Sequence, residues 1–256
     1  MMNDQQISEK IADNLLDLGV RQGGILLVHA SLSSLGQVTG GPETVIRGIL
    51  SALGEKGTLL MPALGSDAND GNPPVFDVLS TTTWTGAIPE AFRVRKGTKR
   101  SLHPTHSVCG VGALAKELLD NHGKDNTPCG PNSPFHLLPD YAGQILMLGC
   151  GLLPNTSFHA IEELVEPLYL FKENQNCTLR LADGHEVQKD YKIHNFVGWR
   201  QRYDRIEPFL KGEDLKRGKV LAANADLIDS HAMWETALPI MKKDPQFFVE
   251  KILETS

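Results

Sequence analysis

Cysteine is scarce in this chain. The 256 residues hold four, at positions 109, 129, 150 and 177, and no two stand at CxxC spacing. That argues against a disulfide framework or a zinc ribbon and predicts reduced, buried thiols. Long hydrophobic runs are lacking too. No stretch approaches the roughly 20 apolar residues that a membrane span requires. The opening Met1-Met-Asn-Asp-Gln-Gln-Ile-Ser-Glu-Lys10 is polar and has no apolar signal region. A cytoplasmic protein without a membrane partner is the expectation. Positive charge is in deficit: 25 Lys and Arg against 31 Asp and Glu give a net charge of −6. Such a balance argues against nucleic acid as the partner and suits a cationic ligand. Internal repeats, low-complexity tracts and linkers are absent as well.

What is present is core-forming material, with 41% hydrophobic and 22% charged residues, an ordinary balance for an enzyme. Ile11, Leu15 and Leu18 recur at helical spacing over residues 8–18, and Gly19 follows as a stop signal. Residues 24–29 and 57–62 read as buried strands. Between them lie a loop, 30–41, and a helix, 43–53, opened by Pro42. This β-loop-α-β order predicts a parallel strand pair with a helical crossover. Further helices are expected from residue 86, over about 113–121, over 199–210 and near the C-terminus, with a buried strand at 145–149. Residues 177–181 and 186–193 flank an Asp183-Gly184 turn and read as an antiparallel pair. Together these give an α/β fold: a single α/β/α domain over residues 1–256, with a central mixed sheet and a small antiparallel C-terminal part.

The stretch richest in chemistry is Asn155-Thr-Ser-Phe-His-Ala-Ile-Glu162, which follows the apolar Ile145-Leu-Met-Leu-Gly-Cys-Gly-Leu-Leu153. Pro154 and the short polar residues read as a strand-to-helix turn, with Thr156 or Ser157 as the helix cap. His159 and Glu162 are three apart and share a helix face. A carboxylate beside an imidazole fixes its tautomer and raises its basicity, which suits proton removal from an amine, hydroxyl or thiol. A solvated surface pair has the same spacing, but the carboxyl end of a strand is where α/β proteins bind ligands. A cysteine hydrolase is an alternative, because Cys150 precedes His159 and Glu162 and a thiol triad can be drawn. Against it, no G-x-S-x-G elbow occurs. His103 and His106 stand as an HxxH pair, yet Pro104 interrupts a helix there and spacing offers no third ligand. No metal is expected.

Six stretches in order carry a family likeness. They are Leu27-Val-His-Ala-Ser-Leu-Ser-Ser-Leu-Gly36 with Gly40-Gly-Pro-Glu-Thr-Val45, Gly57-Thr-Leu-Leu-Met-Pro62, Gly86-Ala-Ile-Pro-Glu90, Arg100-Ser-Leu-His-Pro-Thr-His-Ser107, Ser133-Pro-Phe135 and the 155–162 segment. Each is weak alone; together they cover roughly residues 8–250, and the chain resembles the aminoglycoside 3-N-acetyltransferases, whose fold is distinct from the GNAT acetyltransferases. The resemblance implies acetyl-CoA as acyl donor, a small cationic amine as acceptor, His159 as general base and Glu162 as its orienter. It implies a coenzyme loop at Ser31, Leu32, Leu35, Gly36, Val38, Gly40 and Gly41. Loop amides and a helix N-terminus there would meet the pantetheine and pyrophosphate. It also puts Arg100, Ser101, His103, Pro104 and Ser107 on the coenzyme side, Arg100 against a phosphate and Ser107 toward the thioester oxygen. Expected acceptor contacts are Asp67, Asp77, Asn155, Glu163 and His194, with Asp70 and Glu166 as further carboxylates. The 65–83 loop is not strongly acidic, so acetyl transfer to some other amine metabolite stays open.

Overall fold

The structure, a computed structural model, describes residues 2–65 and 74–252. The helices are α1 (Asp4–Leu18), α2 (Gly41–Leu53), α3 (Ala87–Val94), α4 (Ala115–Leu119), α5 (Pro134–Leu137), α6 (Phe158–Val165) and α7 (Ser230–Lys243). The strands are β1 (Ile25–Ala30), β2 (Thr58–Pro62), β3 (Val75–Asp77), β4 (Lys99–Arg100), β5 (Val108–Gly112), β6 (Gln144–Leu148), β7 (Phe171–Arg180), β8 (Glu186–His194), β9 (Trp199–Gln201), β10 (Leu215–Val220), β11 (Ala223–Asp229) and β12 (Val249–Lys251).

Seven strands form the main sheet in the order β10-β11-β6-β1-β2-β5-β4. β1 runs parallel to both β2 and β6, and the outer pairings are antiparallel. The crossover from β1 to β2 passes through α2, as the order of patterns predicts. β1, β2 and β6 are almost wholly buried apolar runs, the signature of strands covered on both faces. Alternate side chains enter opposite cores. Leu26, Val28, Leu59 and Leu146 pack with Ile11, Val45 and Phe92 from α1, α2 and α3. Leu27, Leu60, Ile145 and Met147 pack with Leu118, Phe158 and Met233 from α4, α6 and α7. The result is the expected α/β/α sandwich around a mixed sheet.

β7 and β8 pair antiparallel and β3 joins β7 in parallel, making a separate three-stranded sheet. Its own core is Phe76, Cys177, Leu179, Tyr191 and Ile193. Two stretches differ from expectation. Residues 199–210 are not a helix: β9 pairs with β12 and a 3-10 segment, Tyr203–Phe209, follows. Pro208 inside that segment lacks the amide an α-helix needs. The β10–β11 hairpin adds two strands that the patterning does not announce, because β10 reads Leu-Lys-Arg-Gly-Lys-Val and is largely exposed. Among the described residues, no helix is long and apolar enough to cross a membrane.

One glycine positions the site. Gly149, just after β6, has φ +74, and a Cβ there would stand 2.5 Å from Ser34 Cβ. The close approach lets Ser34 Oγ donate to the Gly149 carbonyl at 2.8 Å, so the loop after β1 is fastened to the loop after β6.

Candidate active site

The chain leaves β6 at Leu148 and enters α6 at Phe158. Neither Thr156 nor Ser157 caps the helix through its side chain. Ser157 already has helical dihedrals and makes no capping bond, while Asn155 Oδ1 accepts from its amide at 3.2 Å. One turn of α6 brings His159 Nδ1 to 2.6 Å from Glu162 Oε2. Glu162 is 0% exposed and His159 7%. A carboxylate so deeply buried requires donors on its remaining lone pairs. Two phenols supply them: Tyr169 donates to Oε1 at 2.8 Å and Tyr203 to Oε2 at 2.9 Å. Burial pushes both phenols well above their ordinary range, so they remain donors. The Tyr203 oxygen also lies 3.1 Å from His159 Nδ1. With Nδ1 turned to Glu162, the free lone pair of a neutral His159 sits on Nε2.

Three further rings surround that imidazole: His194 at 4.7 Å, Phe196 at 5.2 Å and His106 at 5.5 Å between centroids. His194 Nε2 lies 2.8 Å from Glu163 Oε1, which also accepts from the Cys129 amide at 2.7 Å. Burial drives His194 well below its ordinary value and raises Glu163. His159 and Glu163 on α6 and His194 at the end of β8, expected from two separate stretches, are therefore brought together.

A groove of about 620 Å³ runs beside the loop after β1, and Ser31, Leu32, Gly36, Val38 and Gly41 line it. Thr85, Gly86 and Ala87 form the opposite wall, so the N-termini of α2 and α3 both meet the groove. A smaller cavity of about 140 Å³ shares Ala30 and Thr85 with it and reaches inward to His29, Cys150 and Thr156. Leu35 and Gly40 differ from expectation. Leu35 is 2% exposed and anchors the loop in the core; Gly40 turns the chain into α2 with φ +80.

The 100–107 segment lies inward rather than on the groove. Arg100 Nε donates to Ser107 Oγ at 2.9 Å, Nη2 to the Ala63 carbonyl at 2.8 Å and Nη1 to the Thr81 carbonyl. Its guanidinium stacks over Phe76. It ties loops together where a coenzyme phosphate was expected. Ser107 Oγ donates to Ala63 O at 2.6 Å, and Ser101 Oγ meets His122 Nδ1 at 2.9 Å. His103 stacks on His122 and meets Tyr191 edge-on. Ser101, His103, Pro104 and Ser107 are all buried, and none of them lines the groove.

Among the expected acceptor contacts, Asn155 is 0% exposed and its amide points at Met233 Sδ, a packing role. Asp77 Oδ1 accepts from the Leu79 and Ser80 amides and Oδ2 faces Arg180, a turn-stabilising role. Asp67 and Asp70 lie outside the described residues. Cys150 Sγ contacts the His29 carbonyl at 3.6 Å, and burial pushes the thiol up to about 12. A nucleophilic cysteine needs the opposite shift, so the hydrolase reading loses its nucleophile. Sequence reasoning missed Tyr169, Tyr203 and His29 altogether. The first two lie outside α6, in stretches whose local sequence does not point to Glu162. His29 is quoted only within the loop match, yet burial holds it neutral, down to about 3, beside His159.

A model of the family described as aminoglycoside 3-N-acetyltransferase matches residues 27–242. The chain is 33% identical to aminoglycoside N(3)-acetyltransferase IV of Salmonella sp over 242 residues, 94% of this chain and 89% of the relative. It is 30% identical to the SPbeta prophage-derived aminoglycoside N(3')-acetyltransferase-like protein YokD of Bacillus subtilis (strain 168), covering 86% of each. Its structure resembles that of a histidine-to-alanine mutant of aminoglycoside acetyltransferase AAC(3)-IVa in complex with a gentamicin. The TM-score is 0.80 and the identity 31%, over 93% of this chain and 89% of that one. The six stretches, the mixed sheet and the buried His–Glu pair thus meet in one conclusion: the chain belongs to the aminoglycoside 3-N-acetyltransferase family.

Proposed function

We propose that this protein is a cytoplasmic, acetyl-CoA-dependent N-acetyltransferase that modifies the 3-amino group of an aminoglycoside. The observation that carries the reading is the His159–Glu162 pair, buried and held by the phenols of Tyr169 and Tyr203. An aminoglycoside amine is largely protonated near neutral pH, and only its lone pair attacks a thioester. The amine attacks in its neutral form, having left its extra proton to solvent, and His159 Nε2 takes one N–H proton as the nitrogen adds to the thioester carbonyl carbon. The C–S bond then breaks, its electron pair leaves on the coenzyme sulfur, and the proton on His159 is available to that thiolate. Glu162 stabilises the imidazolium without becoming protonated itself, the role of the acid in a catalytic triad. The coenzyme lies in the groove between the loop after β1 and α3, with the helix N-termini toward its phosphates. His194, fixed by Glu163, stands beside the base and orients the acceptor. Family membership and the gentamicin-bound neighbour support the acceptor class.

A second reading keeps the chemistry and changes the acceptor to another amine. It is favoured by Asp77 and Glu163, two of the expected anionic contacts, being engaged by internal partners. The deciding experiment mixes the purified protein with acetyl-CoA and gentamicin, apramycin or sisomicin and follows thiol release. Release dependent on one drug supports the first reading. Thermal stabilisation by CoA without drug-stimulated release supports the second. Failure to bind CoA contradicts both.

A further inference from the structure

His106, His159 and His194 each offer one ring nitrogen, and these three atoms lie within 4.8 Å of one another. One nitrogen of each ring already has a protein partner. His159 Nδ1 is held by Glu162, His194 Nε2 by Glu163, and His106 Nδ1 lies 2.9 Å from Thr105 Oγ1. Such tethering fixes the tautomer and orientation of metal-bound histidines, and a carboxylate is a frequent partner for it. His194 adds an independent sign. Its side chain is 4% exposed, and its Nδ1 is buried with no hydrogen-bond partner. A lone pair kept from water without a donor is a costly arrangement that a cation would relieve.

We propose that His106, His159 and His194 form a three-histidine site for a divalent transition metal of the zinc class, and that its occupation silences the base. Three imidazoles suit zinc, copper or nickel, whereas magnesium and calcium require oxygen ligands. Zn–N bonds of ~2.0–2.1 Å in tetrahedral geometry place the nitrogens ~3.4 Å apart, so the three rings must draw closer than the separation seen here when a metal binds. Burial keeps His106 and His194 neutral, the state in which imidazole binds metal. A fourth position stays open to water. The lone pair of His159 cannot serve a metal and accept a proton at once, so zinc and acetyl transfer exclude one another. The inhibitory half of this inference rests on the function proposed above; the binding half does not.

The test titrates zinc calorimetrically into full-length protein freed of metal with EDTA. One zinc per chain is expected, with affinity weakened more than about 100-fold in His106→Ala, since loss of a ligand exceeds the 10–100-fold cost of losing a ligand's hydrogen-bond partner. His106→Gln, which keeps the bulk of the side chain, covers the case in which the alanine variant melts early. Cobalt should give the visible absorption of a tetrahedral site in the wild type and not in either variant. Acetylated product is counted by mass spectrometry, because zinc also binds the released thiol. Zinc should suppress product in the wild type, EDTA should restore it, and His106→Gln should keep its own zinc-free rate in zinc. Absence of binding, or binding undiminished in both variants, overturns the site. Binding that is lost in the variants but leaves wild-type product formation unchanged overturns the inhibition.

Discussion

In the proposed mechanism Tyr203 is a positioning residue for His159. Its hydroxyl meets both His159 Nδ1 and Glu162 Oε2. Tyr203→Phe removes that donor and keeps the ring stacked on Phe158. A hydrogen bond to a charged group is worth about 1.5–3 kcal/mol, so kcat should fall roughly 10- to 100-fold with the coenzyme KM unchanged, as steady-state kinetics can check. His159→Ala should cost more, roughly 10²- to 10⁴-fold in kcat, and Glu162→Gln less than His159→Ala. At this scale the sequence is legible where partners are local. His159 and Glu162 are three residues apart, and helical spacing alone pairs them. Tyr169 and Tyr203 arrive from outside the helix and leave no trace in its pattern. The internal partners of Arg100 are hidden for the same reason. Nothing near it in the chain indicates that Ala63 and Thr81 carbonyls await its guanidinium.

At the level of elements, the groove depends on how the chain enters α2. Gly40 adopts φ +80, and a Cβ there would lie 2.3 Å from Thr44 Oγ1. That hydroxyl donates to the Thr39 carbonyl at 2.8 Å and closes the loop onto the helix. Gly40→Ala combines a left-handed backbone, costing about 1–2 kcal/mol, with a clash that displaces Thr44. The expected outcome is a lower urea midpoint and a raised KM for acetyl-CoA, with kcat at saturation little changed. A variant with unaltered KM would remove α2's N-terminus from coenzyme binding. Strong local signals announced such elements: apolar runs for β1, β2 and β6, Pro42 for the start of α2, and Gly19 for the end of α1. The 199–210 stretch failed because its apolar residues fit a helical period while its partners, β12 and the His159–Glu162 pair, are remote. β10 escaped because an exposed edge strand carries little apolar pattern.

Across the whole molecule, burial of neutral histidines sets the acid limit of stability. Burial pushes His29 down to about 3 and His122 down to about 4, whereas an unfolded histidine titrates near 6.5. Below that value the unfolded chain binds more protons, so stability is complete above pH ~6.5 and is lost as pH falls toward the folded values. Each group costs about 1.4 kcal/mol per pH unit within that window. The two together should remove about 4 kcal/mol between pH 7 and pH 5, visible as a falling urea midpoint. A midpoint that does not move would mean that these rings take up protons in the native state. The central claim is that His159 on α6 is the base of an aminoglycoside 3-N-acetyltransferase. It is tested most directly by incubating the wild type and His159→Ala with acetyl-CoA and gentamicin and locating the acetyl group by NMR. The account predicts 3-N-acetylated drug from the wild type and a rate at least about 10²-fold lower from a variant that still binds CoA. A variant that acetylates the drug at the wild-type rate would contradict it.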